Sequence, residues 1–321
     1  MIIVTGGAGF IGSNLVFGLN EQGREDILIV DNLTAGDKCK NLNALAFHDY
    51  VDKSDFIRMV AEGRLDDEEI DAVFHLGACS DTMEYNGKYM MENNYEYSKT
   101  LLHFCLKHSA PFIYASSASV YGSGHQGFRE MPECEGALNV YACSKMLFDR
   151  YVKRVLPAAK SQIVGLRYFN VFGPQELHKG RMASIVYQLH HQLVKDGAVR
   201  LFTGTDGYAD GGQLRDFIYV KDVVKVNLFF WQHPRQSGVF NCGTGQARTF
   251  NAVAESVIKA QGRGHIEYVP FPESLRGKYQ SFTEANTEQL LAAGYDGGFY
   301  ALEGAVAEYC AYLENSGGYL K

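Results

Sequence analysis

Apolar residues along this chain fall in short runs separated by longer amphipathic stretches. The runs Met1 to Val4, Ile27 to Asp31, Ala72 to Leu76, Phe112 to Ser116 and Gln162 to Leu166 predict buried strands. Between them apolar positions recur every three or four residues, the helical period. The longest such stretch, Tyr89 to His108, carries Leu101, Leu102, Cys105 and Leu106 at helical spacing and reads as core. Another helix carries Tyr141 to Val155 and is ended by Pro157. Strand and helix in alternation predict an α/β fold, a parallel sheet covered on both faces. Past Gly173-Pro174 the pattern loosens into loops, two short strands and helices, where a smaller mixed α/β domain is expected. The expected division is 1–170 with about 213–245 for the sheet domain, and about 171–212 with 246–321 for the smaller one. Glycine-rich Asp206 to Gln213 reads as a mobile flap, and Glu314 to Lys321, with its Ser-Gly-Gly, as a frayed end.

Composition narrows the class. A chain of 321 residues with a net charge of −7 has room for a substantial core and argues against nonspecific nucleic-acid binding. No apolar run approaches the roughly 18 residues of a membrane span, and the first residues read as a strand rather than a signal peptide, so the expected location is the cytoplasm, with no membrane partner. Seven cysteines are scattered without a Cys-x-x-Cys pair and read as reduced, mostly buried residues; no metal site is implied.

Two phrases carry chemistry. Thr5-Gly6-Gly7-Ala8-Gly9-Phe10-Ile11-Gly12 follows the first strand and opens a helix, where a pyrophosphate can rest on free backbone N–H groups. The second strand ends in Asp31, 19 positions beyond Gly12, suited to an adenosine ribose hydroxyl. Together they predict a doubly wound parallel sheet of the Rossmann type that binds a dinucleotide. Tyr141-Ala142-Cys143-Ser144-Lys145 sets a phenol and an ammonium four residues apart on one helical face, so that the cation can stabilise a phenolate. An unperturbed tyrosine, with a pKa of about 10, is almost fully protonated at neutral pH and needs such help to take a proton. The pairing describes redox chemistry on a hydroxyl.

These phrases, with S-S-A-S-V-Y-G (Ser116 to Gly122) and R-Y-F-N-V-F-G-P (Arg167 to Pro174), resemble the extended short-chain dehydrogenase/reductases that act on nucleotide sugars. Y-M-M-E-N-N-Y (Tyr89 to Tyr95), H-K-G-R-M-A-S (His178 to Ser184), R-D-F-I-Y-V-K-D (Arg215 to Asp222) and F-N-C-G-T-G (Phe240 to Gly245) narrow the resemblance to the ADP-heptose 6-epimerase branch. That resemblance runs nearly end to end. It implies an isomerase that inverts carbon 6 of ADP-glycero-manno-heptose through a keto intermediate, supplies lipopolysaccharide inner-core heptose, and assembles as a homo-oligomer, a homopentamer in the resembled family.

The resemblance also implies roles. Tyr141 and Lys145 are the catalytic pair, and Ser117 hydrogen-bonds the reacting oxygen; a one-residue slip would put Ser116 there instead. The inverted centre lies on the exocyclic arm, so rotation about one carbon–carbon bond presents the other face of the ketone, and the new alcohol oxygen lies elsewhere. A second acid/base group is useful there, and the role falls on Lys179, which must be partly desolvated or set near another cation such as Arg181 or the nicotinamide. Expected cofactor contacts are Gly6, Gly9, Phe10, Ile11, Gly12, Asp31, Asn32, Lys38, Lys53, the run Leu76-Gly77-Ala78-Cys79-Ser80, Asn93 and Lys145. Expected substrate contacts are Ser117, Asn170, Arg181, Gln188, the run Leu201-Phe202-Thr203-Gly204, Arg215, and Tyr279 in Gly277-Lys278-Tyr279-Gln280. Asp31 alone suits NAD, whereas Lys38 and Lys53 match lysines at the adenosine phosphate end; NADP is the expected cofactor, with NAD the alternative. Leu76 and Gln188 depart from the family, which has a polar residue and often a histidine there. Two other readings stay open: a UDP-hexose 4-epimerase, and a non-catalytic nucleotide-sensing protein on the same fold.

Overall fold

The computed structural model describes residues 1–273 and 279–321. In chain order its strands are β1 (Ile2–Thr5), β2 (Ile27–Asp31), β3 (Asp49–Asp52), β4 (Ala72–His75), β5 (Phe112–Ser117), β6 (Ile163–Tyr168), β7 (Asn170–Phe172), β8 (Ala198–Phe202), β9 (Leu214–Tyr219), β10 (Gly238–Cys242), β11 (Ala247–Thr249) and β12 (His265–Val269). The helices are α1 (Phe10–Asn20), α2 (Lys53–Ala61), α3 (Gly87–Met91), α4 (Tyr97–His108), α5 (Val140–Val155), α6 (Ile185–Asp196), α7 (Val220–Gln232), α8 (Phe250–Gln261), α9 (Glu288–Ala292) and α10 (Leu302–Ser316).

The main sheet runs β10-β6-β5-β4-β1-β2-β3, every pairing parallel. Side chains alternate across it: Ile2 and Val4 join a core with Leu15 and Val16 of α1 and Val223 and Val226 of α7, while Ile3 joins Phe56, Leu101 and Phe148 on the opposite face. Both faces are thus sealed by helices, which is why the strands read as unbroken apolar runs. β1 sits between β2 and β4, so successive crossovers leave it in opposite directions and a crevice opens beyond the strand ends there. A second core packs Leu189 of α6, Val253 of α8 and Val306 of α10 against β8 and β9. Two small sheets, β11-β9-β7 and β12-β8, complete the described residues.

The five expected strands all form, but β3 was not foreseen, and past Gly173-Pro174 the described residues hold five strands, β8 to β12, where two were expected. β3 is a partly exposed edge of sequence Asp-Tyr-Val-Asp, with no apolar run to betray it. The long helix is interrupted, since Glu92–Glu96 forms a π turn between α3 and α4. The C-terminal stretch is not frayed: Leu320 is buried, and the Gly318 carbonyl accepts the Gln175 N–H at 2.8 Å. Gly317 and Gly318, both at positive φ, turn the chain back after α10. The expected flap is likewise a stitched loop, with Gly204 N–H on Asp210 Oδ1 at 2.8 Å, Gly211 N–H on the Phe202 carbonyl at 3.0 Å and Asn251 Nδ2 on the Asp210 carbonyl at 2.8 Å. Among the described residues no helix is long and apolar enough to cross a membrane.

Candidate functional site

A cavity of about 600 Å³ opens at the crevice beyond β1, β2, β4, β5 and β6. Its floor is the glycine-rich turn into α1. Gly6 has φ +71°, and a Cβ there would lie 2.6 Å from the Gly77 backbone nitrogen; at Gly12 a Cβ would lie 2.0 Å from the Gly6 carbonyl oxygen. Only glycine lets the two chain segments meet, and α1 begins with no side-chain cap, leaving its first N–H groups for a ligand. The cradle, the cavity and Asp31 at the end of β2 fit a dinucleotide.

Every residue expected at the cofactor lines this cavity: Gly6, Gly9, Phe10, Ile11, Gly12, Asp31, Asn32, Lys38, Lys53, Leu76, Gly77, Ala78, Cys79, Ser80, Asn93 and Lys145. Asp31 accepts the Ala8 N–H at 2.9 Å and the Asn32 N–H at 2.7 Å, tying strand end to glycine loop. Lys38 is ion-paired with the same carboxylate, so its charge offsets that of Asp31. Lys53 donates to Asn93 Oδ1 at 2.7 Å. His75, buried under the floor, bonds Thr5 Oγ1 at 2.6 Å and Ser98 Oγ at 2.8 Å, and burial, with Lys145 nearby, drives its pKa down to about 3.

Tyr141, Lys145, Ser117 and Lys179 open onto the same space. Asn139 caps α5 through the Ala142 N–H at 2.8 Å, and Ala142, Lys145, Phe148, Asp149 and Val152 fall on its buried face. The lysine is therefore built into the side that packs on the sheet. Its Nζ donates to the Ala115 carbonyl at 2.7 Å, and burial lowers its pKa to about 8 while Asp149, one turn on, works to raise it. Burial pushes the Tyr141 phenol up, and a hydrogen bond with Ser117 works the other way. Lys145 and Tyr141 open onto the same cavity, the ammonium anchored on the Ala115 carbonyl. Ser117, not Ser116, is the available hydroxyl. Ser116 Oγ donates to Asp149 at 2.8 Å on the buried side, while Ser117 Oγ accepts from Ser119 N and Oγ at 3.2 and 2.9 Å.

Lys179 lies in a short turn, Leu177–Met182, with its Nζ 5.1 Å from the centre of the Phe10 ring. Burial lowers its pKa, as a base requires, and Glu176 opposes the shift. Arg181 is not the expected neighbouring cation: it is largely exposed and pairs with Asp81 at 3.1 Å.

The remaining substrate candidates do not line this cavity. Arg215 and Tyr279 form their own buried group, the guanidinium 4.8 Å from the Tyr279 ring and 5.7 Å from that of Phe250. Burial lowers the Arg215 pKa and raises that of Tyr279. Gly277 and Lys278 lie outside the described residues. Next to Arg215, Asp216 accepts from Thr244, Gly245 and Ala285 N–H groups at 2.8, 2.9 and 3.0 Å, which is how the R-D-F-I and N-C-G-T-G phrases hold one another. Asn170 Oδ1 accepts from Thr283 at 3.4 Å, and Gln188 Nε2 holds the Gly180 carbonyl at 3.0 Å. The Leu201 side chain packs into the second core, which leaves its backbone as the part that could meet a ligand. Phe202 stacks edge-on with Phe271 at 5.5 Å, Thr203 Oγ1 accepts the Phe271 N–H at 3.2 Å, and the Gly204 N–H is held within the stitched loop.

Several lining residues had no role assigned: Asp81, Thr82, Tyr89, Tyr97, His178 and Met182 among them. His178 is held down to about 4 by burial, Lys38 and Lys179, so it is neutral at pH 7. Asn94, in the π turn, is fully buried and pins the Cys79 N–H and carbonyl at 2.8 and 2.9 Å and Ser144 Oγ at 3.1 Å. It locks the cofactor loop to the catalytic helix. Its signal lay in Y-M-M-E-N-N-Y, but a π turn has no local sequence mark.

Residues 2–243 match the model of the NAD dependent epimerase/dehydratase family. The chain is 56% identical over 310 residues, 96% of each chain, to the ADP-L-glycero-D-manno-heptose-6-epimerase of Alkalilimnicola ehrlichii. It superposes with a TM-score of 0.82 on the crystal structure of the Helicobacter pylori ADP-L-glycero-D-manno-heptose-6-epimerase, at 32% identity over 97% of this chain and 95% of that one. Against Thermus thermophilus UDP-glucose 4-epimerase in complex with NAD the TM-score is 0.77, at 28% identity over 96% and 98% of the chains.

Proposed function

The chain belongs to the NAD dependent epimerase/dehydratase family, and from that premise we propose that it converts ADP-D-glycero-D-manno-heptose to ADP-L-glycero-D-manno-heptose. It is a nicotinamide-dependent nucleotide-sugar epimerase. Bound in the cavity, the cofactor supplies the hydride acceptor and donor that inversion at a carbinol carbon needs. The observation that carries this reading is the convergence of two separate proton-handling groups, Tyr141 from α5 and the desolvated Lys179 from the 177–182 turn, on one cavity.

The residues divide the work. Ser117 holds the substrate oxygen beside Tyr141, which takes or returns the hydroxyl proton, and Lys145, fixed on Ala115, keeps that end of the site positive. Lys179 performs the same exchange at the second oxygen position, and burial, by lowering its proton affinity, favours the neutral amine that a base needs. Arg215 offers a planar fork to phosphate oxygens, with Tyr279 stacked on it. NADP is the cofactor we favour, because Lys38 already offsets the Asp31 charge and Lys53 adds a second cation at the same rim. We place the enzyme in the cytoplasm as a homo-oligomer, with 1–170 and 213–245 holding the dinucleotide and 171–212 and 246–321 the sugar nucleotide.

Incubating the purified protein with the D-glycero ADP-heptose and following the diastereomer ratio by proton NMR tests this directly. Interconversion is expected. A static spectrum, with a UDP-hexose epimerised instead, assigns the site to ring-carbon chemistry.

A further inference from the structure

The turn that carries Lys179 is closed by a buried acid. Glu176 is fully buried, and its two carboxylate oxygens accept from Ser184, Oε2 from the backbone N–H at 2.6 Å and Oε1 from the hydroxyl at 2.5 Å. Ser184 is the N-cap of α6, so the carboxylate also faces the positive end of that helix. At the other end of the turn the Glu176 carbonyl accepts the Lys179 N–H at 3.0 Å. One residue thus pins both ends of the segment 176–184.

A backbone N–H must donate to Oε2 and the Ser184 hydroxyl can donate to Oε1, contacts that favour the ionised carboxyl. Burial works to raise its pKa, while Lys179 and the Ser184 groups work to keep it charged. Lys179 makes no ion pair among the described residues, and Glu176 is the charged group acting on its ammonium; the phenols of Tyr187 and Tyr309 face Glu176 itself. Of the other nearby charges, Lys38 and Asp31 pair with each other, Arg181 is engaged by Asp81, and His178 is neutral. A similar arrangement stands at the other lysine, where Asp149 on α5 accepts from Tyr114, Ser116 and Arg167 and acts on Lys145.

We propose that Glu176 is a positioning residue for the second acid/base group: gripping Ser184 with its carboxylate and the Lys179 N–H with its carbonyl, it holds the 176–184 turn closed and keeps a buried negative charge in the turn that carries Lys179. This rests on reading Lys179 as that group. Without the carboxylate the ammonium would face desolvation alone, and the amine would lose its proton at a lower pH.

Competitive labelling of lysines with trace acetic anhydride across neutral to alkaline pH, read by peptide mass spectrometry on the holoenzyme, measures the Lys179 titration directly. Glu176→Gln keeps the shape and removes the charge. Its Lys179 midpoint is expected to fall by about one pH unit, with that of Lys145 unmoved, and the acidic limb of kcat/KM for the epimer oxidised through Lys179 is expected to fall with it. Should that variant fail to fold, Ser184→Ala strips one donor from the carboxylate and shifts the midpoint the same way by less. An unchanged midpoint in the folded variant overturns the proposal. Unaltered turnover of both epimers in Lys179→Ala would remove the role of Lys179 in catalysis, yet leave the labelling result standing.

Discussion

Tyr141 and Lys179 meet in one cavity with different electrostatic surroundings, and single substitutions separate them. Tyr141→Phe removes the only hydroxyl of that side chain and is expected to cut turnover by about a hundredfold or more, with nucleotide binding by fluorescence titration unchanged. Lys179→Ala is expected to slow oxidation of one epimer more than the other, measured by initial rates from each diastereomer. His75 gives a pH signature instead. Its ring binds a proton at about 3 when folded against 6.5 for the free side chain, so between those values the unfolded chain takes up the extra proton and stability falls as pH drops. From pH 7 to 5 this ring alone removes about 2 kcal/mol. Urea midpoints at both pH values should show a smaller acid loss in His75→Gln, which keeps a polar group for Thr5 and Ser98. Tyr141 and Lys145 were legible from their four-residue spacing on one helical face, whereas Ser117 and Lys179 were implied by the family resemblance alone. Arg181 was misread as a neighbour of Lys179 because its direction depends on Asp81, one hundred residues away in sequence.

Elements hold these side chains through few but buried contacts. The glycine turn tolerates no side chain at Gly12, so Gly12→Ala is expected to abolish cofactor binding in a fluorescence titration while far-UV dichroism stays near wild type. Strands β1, β2, β4, β5 and β6 were readable because both their faces are buried and nearly every residue is apolar. β3 was not, for an edge strand needs only one buried face. The π turn was equally hidden, since it is chosen by what Asn94 reaches across to rather than by its own propensity. The C-terminal stretch repeats the lesson: Ser-Gly-Gly reads as loose, yet the glycines supply the turn that brings Leu320 into the core and Gly318 onto Gln175.

At the scale of the molecule, a buried ion network joins the sheet to the catalytic helix. Arg167 of β6, fully buried, pairs with Asp149 at 2.8 Å and Glu135 at 2.5 Å, both also sealed from water. Arg167→Leu would take the ion-pair partner from buried Asp149, while Glu135 keeps Arg150 at 3.0 Å and Lys153 at 3.1 Å, and is expected to cost about 3–5 kcal/mol in urea unfolding. The exposed pair Arg181–Asp81 is the counter-case, and Arg181→Ala should change stability by under about 1 kcal/mol in the same measurement. The contrast follows from dielectric surroundings, not from the number of charges.

What the amino-acid order determined by itself is whatever depends on neighbours in the chain: the βαβ alternation, the glycine turn, the tyrosine and lysine one helical turn apart, and the acid at the end of β2. What only the tertiary structure decided is whatever depends on burial and on partners distant in sequence. Ser117 rather than Ser116 keeps a hydroxyl for the cavity because Asp149 claims the other, Lys145 turns to Ala115, Leu201 enters a core, and Lys179 lies half-buried over Phe10. Proton affinity is set by solvent exclusion and by charges brought near through folding, and neither quantity exists until the chain has folded.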